Sequence, residues 1–247
     1  MKVVGIIPAR YNSTRFPGKP LAMIKGKTMI QRVCEQAWKS KLDAVVVATD
    51  DIRIADEVLK FGGKYVMTDP RHQSGTDRCY EAVEILEEQY DAVVNIQGDE
   101  PFIDPQHINL LVDMISCDDT QLASLVKRVE EEEDLFGSAK VKVVMDKTGK
   151  ALYFSRNPIP YMRNTAHEKW LQKGCFYQHI GIYAYKTETL RQIAMMQPTA
   201  LEMAESLEQL RWLENGLSIR MAVVAGESIS IDTPDDLAKA IEMAQRD

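Results

Sequence analysis

A basic segment near the amino terminus carries the first side chains whose types and spacing could do chemistry. Residues 7–21 read IPARYNSTRFPGKPL and place Arg10, Arg15 and Lys19 within ten positions, directly after an apolar run. Cationic side chains on a long loop, together with main-chain N–H groups, can surround a polyphosphate. The segment therefore predicts a polyphosphate site, and a solvated basic loop that binds no ligand is the alternative.

Two familiar phosphate-binding patterns are missing here. No G-x-G-x-x-G follows the first apolar run, which disfavours a dehydrogenase that binds a nicotinamide or flavin dinucleotide. Gly26, Lys27 and Thr28 resemble the end of a P-loop, but Leu21 stands where its first glycine is required. The sequence therefore disfavours the P-loop ATPases and GTPases as well.

Carboxylates follow a later apolar run, in the segment QGDEP at residues 97–101. Asp99 and Glu100 could hold a divalent cation on phosphate oxygens. Gly98 lets the backbone approach a ligand closely, because it has no side chain. A turn built from Gly, Asp and Pro without any ligand would need the same residue types, so both interpretations stay open.

A second acidic motif lies near the carboxyl terminus, where residues 230–236 read SIDTPDD. Thr233 and Pro234 are typical of a helix start, with threonine as the N-cap and proline as the first helical residue. This capping leaves Asp232 unexplained, because Asp232 precedes the predicted helix. Asp232 could supply the second carboxylate of a metal pair with Asp99.

The elements that position these motifs are short apolar runs that alternate with helical segments. This alternation of strands and helices is typical of right-handed crossovers in a mainly parallel sheet. The motifs follow strand ends, where ligands bind in such sheets. The predicted strands are 3–7, 44–49, 64–68, 91–97, 122–129, 141–145, 151–155, 179–185 and 218–224. The predicted helices are 29–40, 51–63, 78–89, a helix from Pro105, helices within 201–216, and one that Pro234 begins. In helix 51–63, the buried face is predicted to contain Ile52, Ala55, Val58 and Leu59.

The middle of the chain departs from this alternation. Residues 130–134 form an acidic run that predicts a solvated helix start. Residues 156–174 hold two prolines and fit no helical period, which predicts a long excursion. The sequence therefore predicts a single domain over residues 1–247 with an inserted lobe at roughly 130–200.

Composition and charge disfavour several classes of protein. The formal net charge of −7 argues against general binding to nucleic acid or to an anionic membrane, because both need a broad basic surface. No apolar run is long enough for a membrane span or a secretory signal, so we expect a soluble, cytoplasmic protein. The four cysteines form no C-x-x-C pair, and the sequence around Cys175 and His179 predicts a strand rather than a metal site.

Seven motifs taken together resemble one enzyme family over nearly the whole chain. They are IPARYNSTRFPGKPL, HQSGTDR, VNIQGDEP, ALYFSRNPIP, HIGIYAY, LEQLR and DTPDDL, in this order. The family is that of the 3-deoxy-manno-octulosonate (Kdo) cytidylyltransferases. The resemblance implies an α/β protein with a Rossmann-like nucleotidyltransferase fold, a mainly parallel sheet with helices on both faces, and an inserted dimerisation and substrate lobe.

The resemblance also implies an activity and its participants. CTP and Kdo would give CMP-Kdo and diphosphate through attack of the sugar's anomeric hydroxyl on the α-phosphorus, which activates Kdo for lipopolysaccharide assembly. Mg²⁺ would be the cofactor, and the protein would be a homodimer. A cytidylyltransferase for 8-amino-Kdo or sialic acid, and a catalytically silent nucleotide-binding dimer, are the alternatives.

Site residues follow from the matching motifs. The resemblance implies catalytic roles for Arg10, Lys19, Asp99 and Asp232, of which Asp99 and Asp232 would bind Mg²⁺. The implied CTP site consists of Arg10, Arg15, Lys19, Ser74, Gly75, Thr76, Gly98 and Asp99. The implied sugar site consists of Arg78, Gln97, Arg156, His179, Tyr183, Glu208 and Gln209. Helix capping by Ser74 or Thr76 and core positions for His179 and Tyr183 are the alternatives, and no general base is assigned.

Overall fold

The computed structural model describes residues 1–12, 16–72, 74–226 and 230–243. The strands in these ranges are β1 (Val3–Ala9), β2 (Met23–Ile24), β3 (Lys27–Thr28), β4 (Ala44–Thr49), β5 (Lys64–Met67), β6 (Ala92–Asn95), β7 (Leu122–Arg128), β8 (Lys142–Met145), β9 (Ala151–Ser155), β10 (Tyr177–Lys186) and β11 (Arg220–Val224). The helices are α1 (Met29–Ala37), α2 (Ile52–Lys60), α3 (Gly75–Ile85), α4 (Pro105–Ile115), α5 (Glu132–Phe136), α6 (Trp170–Lys173), α7 (Thr187–Ala194), α8 (Ala200–Glu205), α9 (Glu208–Glu214) and α10 (Pro234–Met243). None of the helices in the described ranges is long and apolar enough to cross a membrane.

One sheet contains nine of the described strands. Its main path has the order β11-β7-β10-β6-β1-β4-β5, and β8 and β9 are attached beside β10. Neighbouring strands are parallel from β6 through β1 and β4 to β5, and β11 is parallel to β7. Strand β10 runs antiparallel to β6 and β7. The predicted mainly parallel sheet is confirmed, with one reversed strand near its centre.

Helices cover both faces of this sheet, as predicted. On one face α1, α2 and α4 contribute Ile30, Ile54 and Leu111 to a buried apolar layer. On the other face α7 and α9 contribute Leu190 and Trp212, together with residues of α3. Full burial of one such side chain stabilises the fold by roughly 1.5–3 kcal/mol. The two layers therefore fix the strand ends and the loops that leave them.

The buried face of α2 differs from the predicted one. Ile52 and Leu59, which belong to the predicted face, are 59% and 56% exposed. Ile54, Ala55 and Val58 form the buried face instead. The prediction is wrong for Ile52 and Leu59. Apolar residues lie on more than one side of this helix, and the crossover between β4 and β5 determines which side packs against the sheet.

The chain between β7 and β10 contains the irregular part of the structure. Helix α5 begins within the acidic run, as predicted, and β8 pairs with β9. Residues 156–174 contain only a short 3₁₀ turn and α6, which agrees with the predicted excursion. Strand β10 lies between β6 and β7 in the central sheet, although the predicted lobe of roughly 130–200 includes it.

The last helix, α10, returns to the amino-terminal part of the chain. Ala240 of α10 and the preceding Ile231 are buried with Ile24 of β2 and Met29 of α1 in a separate apolar cluster. This packing carries the SIDTPDD motif from the end of the chain to the loop that follows β1.

Candidate active site

A cleft of about 240 Å³ lies at the carboxyl edge of the sheet, where β1 and β6 end. The predicted site residues that line it are Arg10, Lys19, Ser74, Gly75, Arg78, Gln97, Gly98, Asp99 and Asp232. Residues that line it without having been predicted are Pro8, Ala9, Pro20 and His72. Arg15 lies outside the described residues. Most of the predicted nucleotide and metal ligands therefore meet in one place.

The basic loop is anchored before it reaches the cleft. Gly18 has a φ of 71°, a left-handed conformation that favours glycine, and its N–H donates to the carbonyl of Tyr11 at 2.9 Å. The guanidinium of Arg53 lies 3.3 Å from the centroid of the Tyr11 ring, which is a cation–π contact. A 3₁₀ turn over Lys19–Leu21 follows directly, so that Lys19 enters the cleft from a fixed position.

Lys19 joins the two predicted metal ligands. Its Nζ donates to Oδ2 of Asp99 at 2.6 Å and to Oδ1 of Asp232 at 3.3 Å. The side chains of Lys19 and Asp99 are 15% and 23% exposed, and this partial shielding from water strengthens their attraction. The two carboxylates therefore converge on one cation beside the predicted polyphosphate loop.

Asp232 reaches the cleft because the chain before α10 is bonded to the loop after β6. The N–H of Ile231 donates to the carbonyl of Asp99 at 2.9 Å. Thr233 caps α10 by accepting the N–H of Asp236 at 3.2 Å, and the Asp236 carboxylate accepts the N–H of Thr233 at 2.9 Å. This reciprocal cap confirms the predicted helix start, and Asp232 lies just before it.

The protein's own backbone requires a glycine at position 98. A Cβ atom there would lie 2.8 Å from the carbonyl oxygen of Pro8, too close for a stable contact. The sequence analysis attributed Gly98 to the close approach of a ligand. In the structure, the group that approaches Gly98 closely is the backbone of Pro8 near the end of β1. A side chain at this position would displace the loop that carries Asp99.

The predicted nucleotide loop forms the start of α3. Ser74 accepts the N–H of Asp77 at 3.1 Å, so Ser74 caps the helix and lines the cleft as well. The hydroxyl of the buried Thr76 donates to Oε2 of Glu208 at 2.9 Å. Burial raises the pKa of Glu208, and the Thr76 hydroxyl opposes that rise by stabilising the carboxylate. Thr76 therefore links the nucleotide loop to α9, which carries two predicted sugar contacts.

Arg78 is a buried cation beside this loop, with only 3% of its surface exposed. Its guanidinium donates to the Asp50 carboxylate at 2.9 Å and to the Thr68 hydroxyl. Asp50 follows β4 and Thr68 follows β5, so Arg78 ties α3 to the ends of two strands. These bonds hold the guanidinium on the β4–β5 side of the cleft, and the sugar contact of Arg78 stays a prediction.

His179 and Tyr183 lie on β10 and do not line the cleft. The His179 ring is hydrogen-bonded through Nε2 to the Ser124 hydroxyl at 2.9 Å and packs edge-on against Phe154. Burial lowers the pKa of His179 to about 3, so the ring is neutral at pH 7. Tyr183 is buried with Trp212 in the core, and burial raises its pKa well above the ordinary value. Their sugar contacts stay predictions.

The lowered pKa of His179 predicts a loss of stability in acid. The unfolded chain protonates His179 as the pH falls through about 6.5, while the folded chain resists protonation down to about 3. The stability that depends on this group is complete above pH 6.5 and decreases below it, by at most about 1.4 kcal/mol per pH unit. We expect urea unfolding at pH 7 and pH 5 to show a smaller pH dependence for His179→Asn than for wild type. The exposed His167 provides the control His167→Asn, and equal pH dependence in wild type and His179→Asn would contradict the prediction.

Arg156 is held by main-chain carbonyl groups. Its Nε donates to the carbonyl of Glu205 at 2.7 Å, and its terminal nitrogens donate to the carbonyls of Ser138 and Ser206 at 3.1 and 3.2 Å. These bonds fasten the end of β9 to the turn between α8 and α9. The predicted sugar contact of Arg156 would have to use the remaining donors of the guanidinium.

Two glutamines complete the predicted sugar site. Gln97 lines the cleft, and its Nε2 donates to the carbonyl of Gly181 in β10 at 2.9 Å. Gln209 is buried in the first turn of α9, beside Glu208. Gln97 therefore connects the cleft to the part of β10 that leads to Tyr183, and the sugar contacts of both residues stay predictions.

The fold and the cleft together define a class of protein. A Rossmann-like sheet whose carboxyl edge joins a cationic loop to paired carboxylates is the arrangement of a nucleotidyltransferase. The family described as Cytidylyltransferase matches residues 4–220 of this chain. The class is therefore that of the cytidylyltransferases, which share this α/β architecture.

Individual relatives narrow this class. A 3-deoxy-manno-octulosonate cytidylyltransferase from Parabacteroides distasonis is 54% identical over 245 residues, covering 98% of this chain and 97% of that protein. Its counterpart from Bacteroides thetaiotaomicron is also 54% identical over 245 residues, covering 98% of both. A solved structure of CMP:2-keto-3-deoxy-manno-octonic acid synthetase complexed with CTP has 42% identity and a TM-score of 0.92 over the full length of both chains. The chain belongs to the 3-deoxy-manno-octulosonate cytidylyltransferase family, as its motifs predicted.

Proposed function

We propose that this chain transfers the cytidylyl group of CTP to the anomeric hydroxyl of Kdo and releases diphosphate, which activates Kdo for lipopolysaccharide assembly. The observation that carries the proposal is the convergence of Lys19, Asp99 and Asp232 at the carboxyl edge of the sheet. The substrates are supported by the relatives, which are named for Kdo and cytidylyl transfer, and by a similar structure that holds CTP.

The cations of the cleft act on the triphosphate. Transfer to the α-phosphorus needs the attacking oxygen and the leaving diphosphate in line, and positive charge beside the phosphate oxygens. Arg10 is exposed at the cleft and offers a planar fork of donors, while Lys19 offers a compact charge on a flexible chain. The two residues would bind the triphosphate and stabilise the charge that develops on the leaving diphosphate.

Asp99 and Asp232 would hold Mg²⁺. Both carboxylates already contact one cationic atom, and hard oxygen ligands with room for water and phosphate oxygens suit this ion. When bound, Mg²⁺ supplies charge to the phosphate oxygens and lowers the pKa of a coordinated hydroxyl. Lys19 uses one oxygen of each carboxylate, and its ammonium group has three N–H donors, so it could contact the triphosphate while the other carboxylate oxygens hold the ion.

No general base is assigned in this mechanism. His179 is neutral, bonded to Ser124 and outside the cleft lining. His72 lines the cleft, but its Nε2 lies 2.5 Å from the Glu81 carboxylate. Binding and orientation of the two substrates therefore carry the proposed catalysis.

The two substrates would occupy opposite sides of the cleft. Arg78 lies on the side of β4 and β5, where its guanidinium is bonded to Asp50 and Thr68, whereas Gly75 lies beside Pro8 of β1. Gln97 lies on the side of β6 and β10, where His179 and Tyr183 also lie. We place the cytidine on the first side and the acid sugar on the second, with the α-phosphorus between them near Asp99.

A diphosphate-release assay tests this function. The protein is incubated with Mg²⁺ and each combination of CTP, UTP or ATP with Kdo, 8-amino-Kdo or sialic acid, and with hexose 1-phosphates. We expect diphosphate with CTP and Kdo. Release with ATP or UTP and a hexose 1-phosphate, but none with CTP and Kdo, would overturn the proposal. Release only with 8-amino-Kdo or sialic acid would change the acceptor, and CTP binding without release would indicate a silent nucleotide-binding protein.

We also propose a homodimer, which the family resemblance implies and which the inserted segment supports. Leu152 and Tyr161 are 60% and 73% exposed, and Phe136 is 38% exposed, all between β7 and β10. Phe136 and Tyr161 both contact the ring of Trp170, and contiguous exposed apolar side chains mark interaction surfaces. We expect light scattering to give a dimer for wild type and a monomer for Tyr161→Glu. Leu59→Glu, at a position 56% exposed on α2 and outside residues 130–200, is the control that stays dimeric. A monomeric wild type would contradict the proposal.

A further inference from the structure

His72 lines the cleft but has no role in the proposed function. It lies between β5 and α3, beside Ser74 and Arg78, on the side of the cleft where we place the cytidine. Its side chain is 23% exposed, so the ring is held by its surroundings and still accessible from the cleft. A partly buried polar ring at this position is suited to contact a base edge.

The Glu81 carboxylate fixes which nitrogen of His72 carries the proton. The His72 Nε2 lies 2.5 Å from Oε2 of Glu81, and the same oxygen accepts the N–H of Asp69 at 2.8 Å. Oε2 is therefore an acceptor, and Nε2 must donate to it. In the neutral ring Nδ1 then carries a lone pair and can only accept. Among the described residues, no hydrogen bond to Nδ1 of His72 is present.

We propose that His72 is a specificity-determining residue, whose Nδ1 accepts a hydrogen bond from the exocyclic amine of cytosine. This inference rests on the proposed function. Cytosine presents an amine at its C4 position, whereas uracil presents a carbonyl oxygen there, which would face the lone pair of Nδ1. A site built for a donor rejects an analogue without it, because a buried acceptor is then left unpaired. His72 would therefore select CTP over UTP.

Glu81 is the positioning residue of this pair. It lies on α3, and its contact with the Asp69 N–H holds the carboxylate next to the ring. Without this carboxylate the proton of the neutral His72 ring can occupy either nitrogen. In the tautomer with the proton on Nδ1, this atom has no lone pair with which to accept a hydrogen bond. With glutamine the amide oxygen can accept both bonds, so the orientation of the ring is retained.

The test compares kcat/KM for CTP and for UTP with Kdo as the acceptor. We expect His72→Phe, which keeps a flat ring without a lone pair, to lower the CTP/UTP ratio by about 10-fold through a loss with CTP. Glu81→Ala should lower the ratio by a smaller factor, and Glu81→Gln should restore it. Glu84→Ala is the matched control, because Glu84 is on the same helix and pairs with Arg191 at the surface.

Several outcomes would overturn this inference. An unchanged ratio in folded His72→Phe, or an equal loss with both nucleotides, would show that His72 only stacks or supports the loop. If His72→Phe does not fold by circular dichroism, His72→Leu and direct titration of CTP and UTP into the folded protein give the same comparison. Wild-type turnover with CTP and Kdo tests the proposed function separately, so that this inference can fail while the function stands.

Discussion

Replacing Asp99 or Asp232 by asparagine is expected to abolish turnover, with a loss of about 10³-fold or more in kcat. Each change removes one negative charge from the proposed Mg²⁺ site and keeps the shape of the side chain. The hydrogen bond between the Ile231 N–H and the Asp99 carbonyl uses main-chain atoms, so the loop stays in place. Diphosphate release measures the loss, and circular dichroism with urea unfolding checks the fold.

Asp113→Asn is the matched control for these two variants. Asp113 is an exposed carboxylate that pairs with Lys41 on the surface, and it is not among the residues that line the cleft. We expect this variant to have wild-type turnover. A near-normal rate for Asp99→Asn or Asp232→Asn would remove that residue from the proposed metal site.

Lys19→Gln is expected to lower kcat/KM for CTP by about 10²–10³-fold. The change removes a cation from the triphosphate and leaves Asp99 and Asp232 without their shared ammonium group. Both KM for CTP and kcat should change, because the charge acts on the bound triphosphate and on the leaving diphosphate. Initial rates at varied CTP with saturating Kdo separate the two effects.

Two further variants define what Lys19 contributes. Lys19→Arg should recover only part of the activity, since a planar fork cannot replace a compact ammonium between two carboxylates. Lys41→Gln changes an exposed lysine that pairs with Asp113 and should behave as wild type. A Lys19→Gln enzyme within twofold of wild type would exclude Lys19 from the triphosphate site.

The sheet could be predicted because its strands are short apolar runs with clear boundaries. Strand β4 has the predicted limits of 44–49, and β9 has those of 151–155. The helix α7, in contrast, has no counterpart among the predicted elements, and two residues of the predicted α2 face are exposed. Periodicity indicates that a segment is regular, but the side that meets the core is determined by neighbouring elements.

The direction of β10 in the sheet could not be predicted from the sequence either. The alternation of side chains between the two faces of a strand is the same whether the strand is parallel or antiparallel to its neighbours. Its antiparallel direction brings its first residues, including His179, towards the carboxyl edge of the parallel strands. A parallel β10 would have carried His179 to the opposite edge, away from the cleft. The position of the predicted sugar residues therefore depends on topology.

The main components of the candidate site were predictable because each lies in a motif that follows a strand. Lys19, Asp99 and Asp232 were expected to act together, and the structure brings them into contact. The contacts that position the site were not predictable. Thr76 meets Glu208 and His72 meets Glu81 through side chains on different elements, and no spacing along the chain indicates such pairs.

The packing of α10 beside β2 has a consequence for how the enzyme is made. Lys19 and Asp232 are 213 positions apart in the sequence, and the chain is synthesised from its amino terminus. All strands of the sheet have been translated before the ribosome adds Asp232, so a nascent chain can pair its strands while one carboxylate of the cleft is still missing. The proposed metal site would thus be completed only once Asp232 has been added, after the described strands of the sheet have been synthesised.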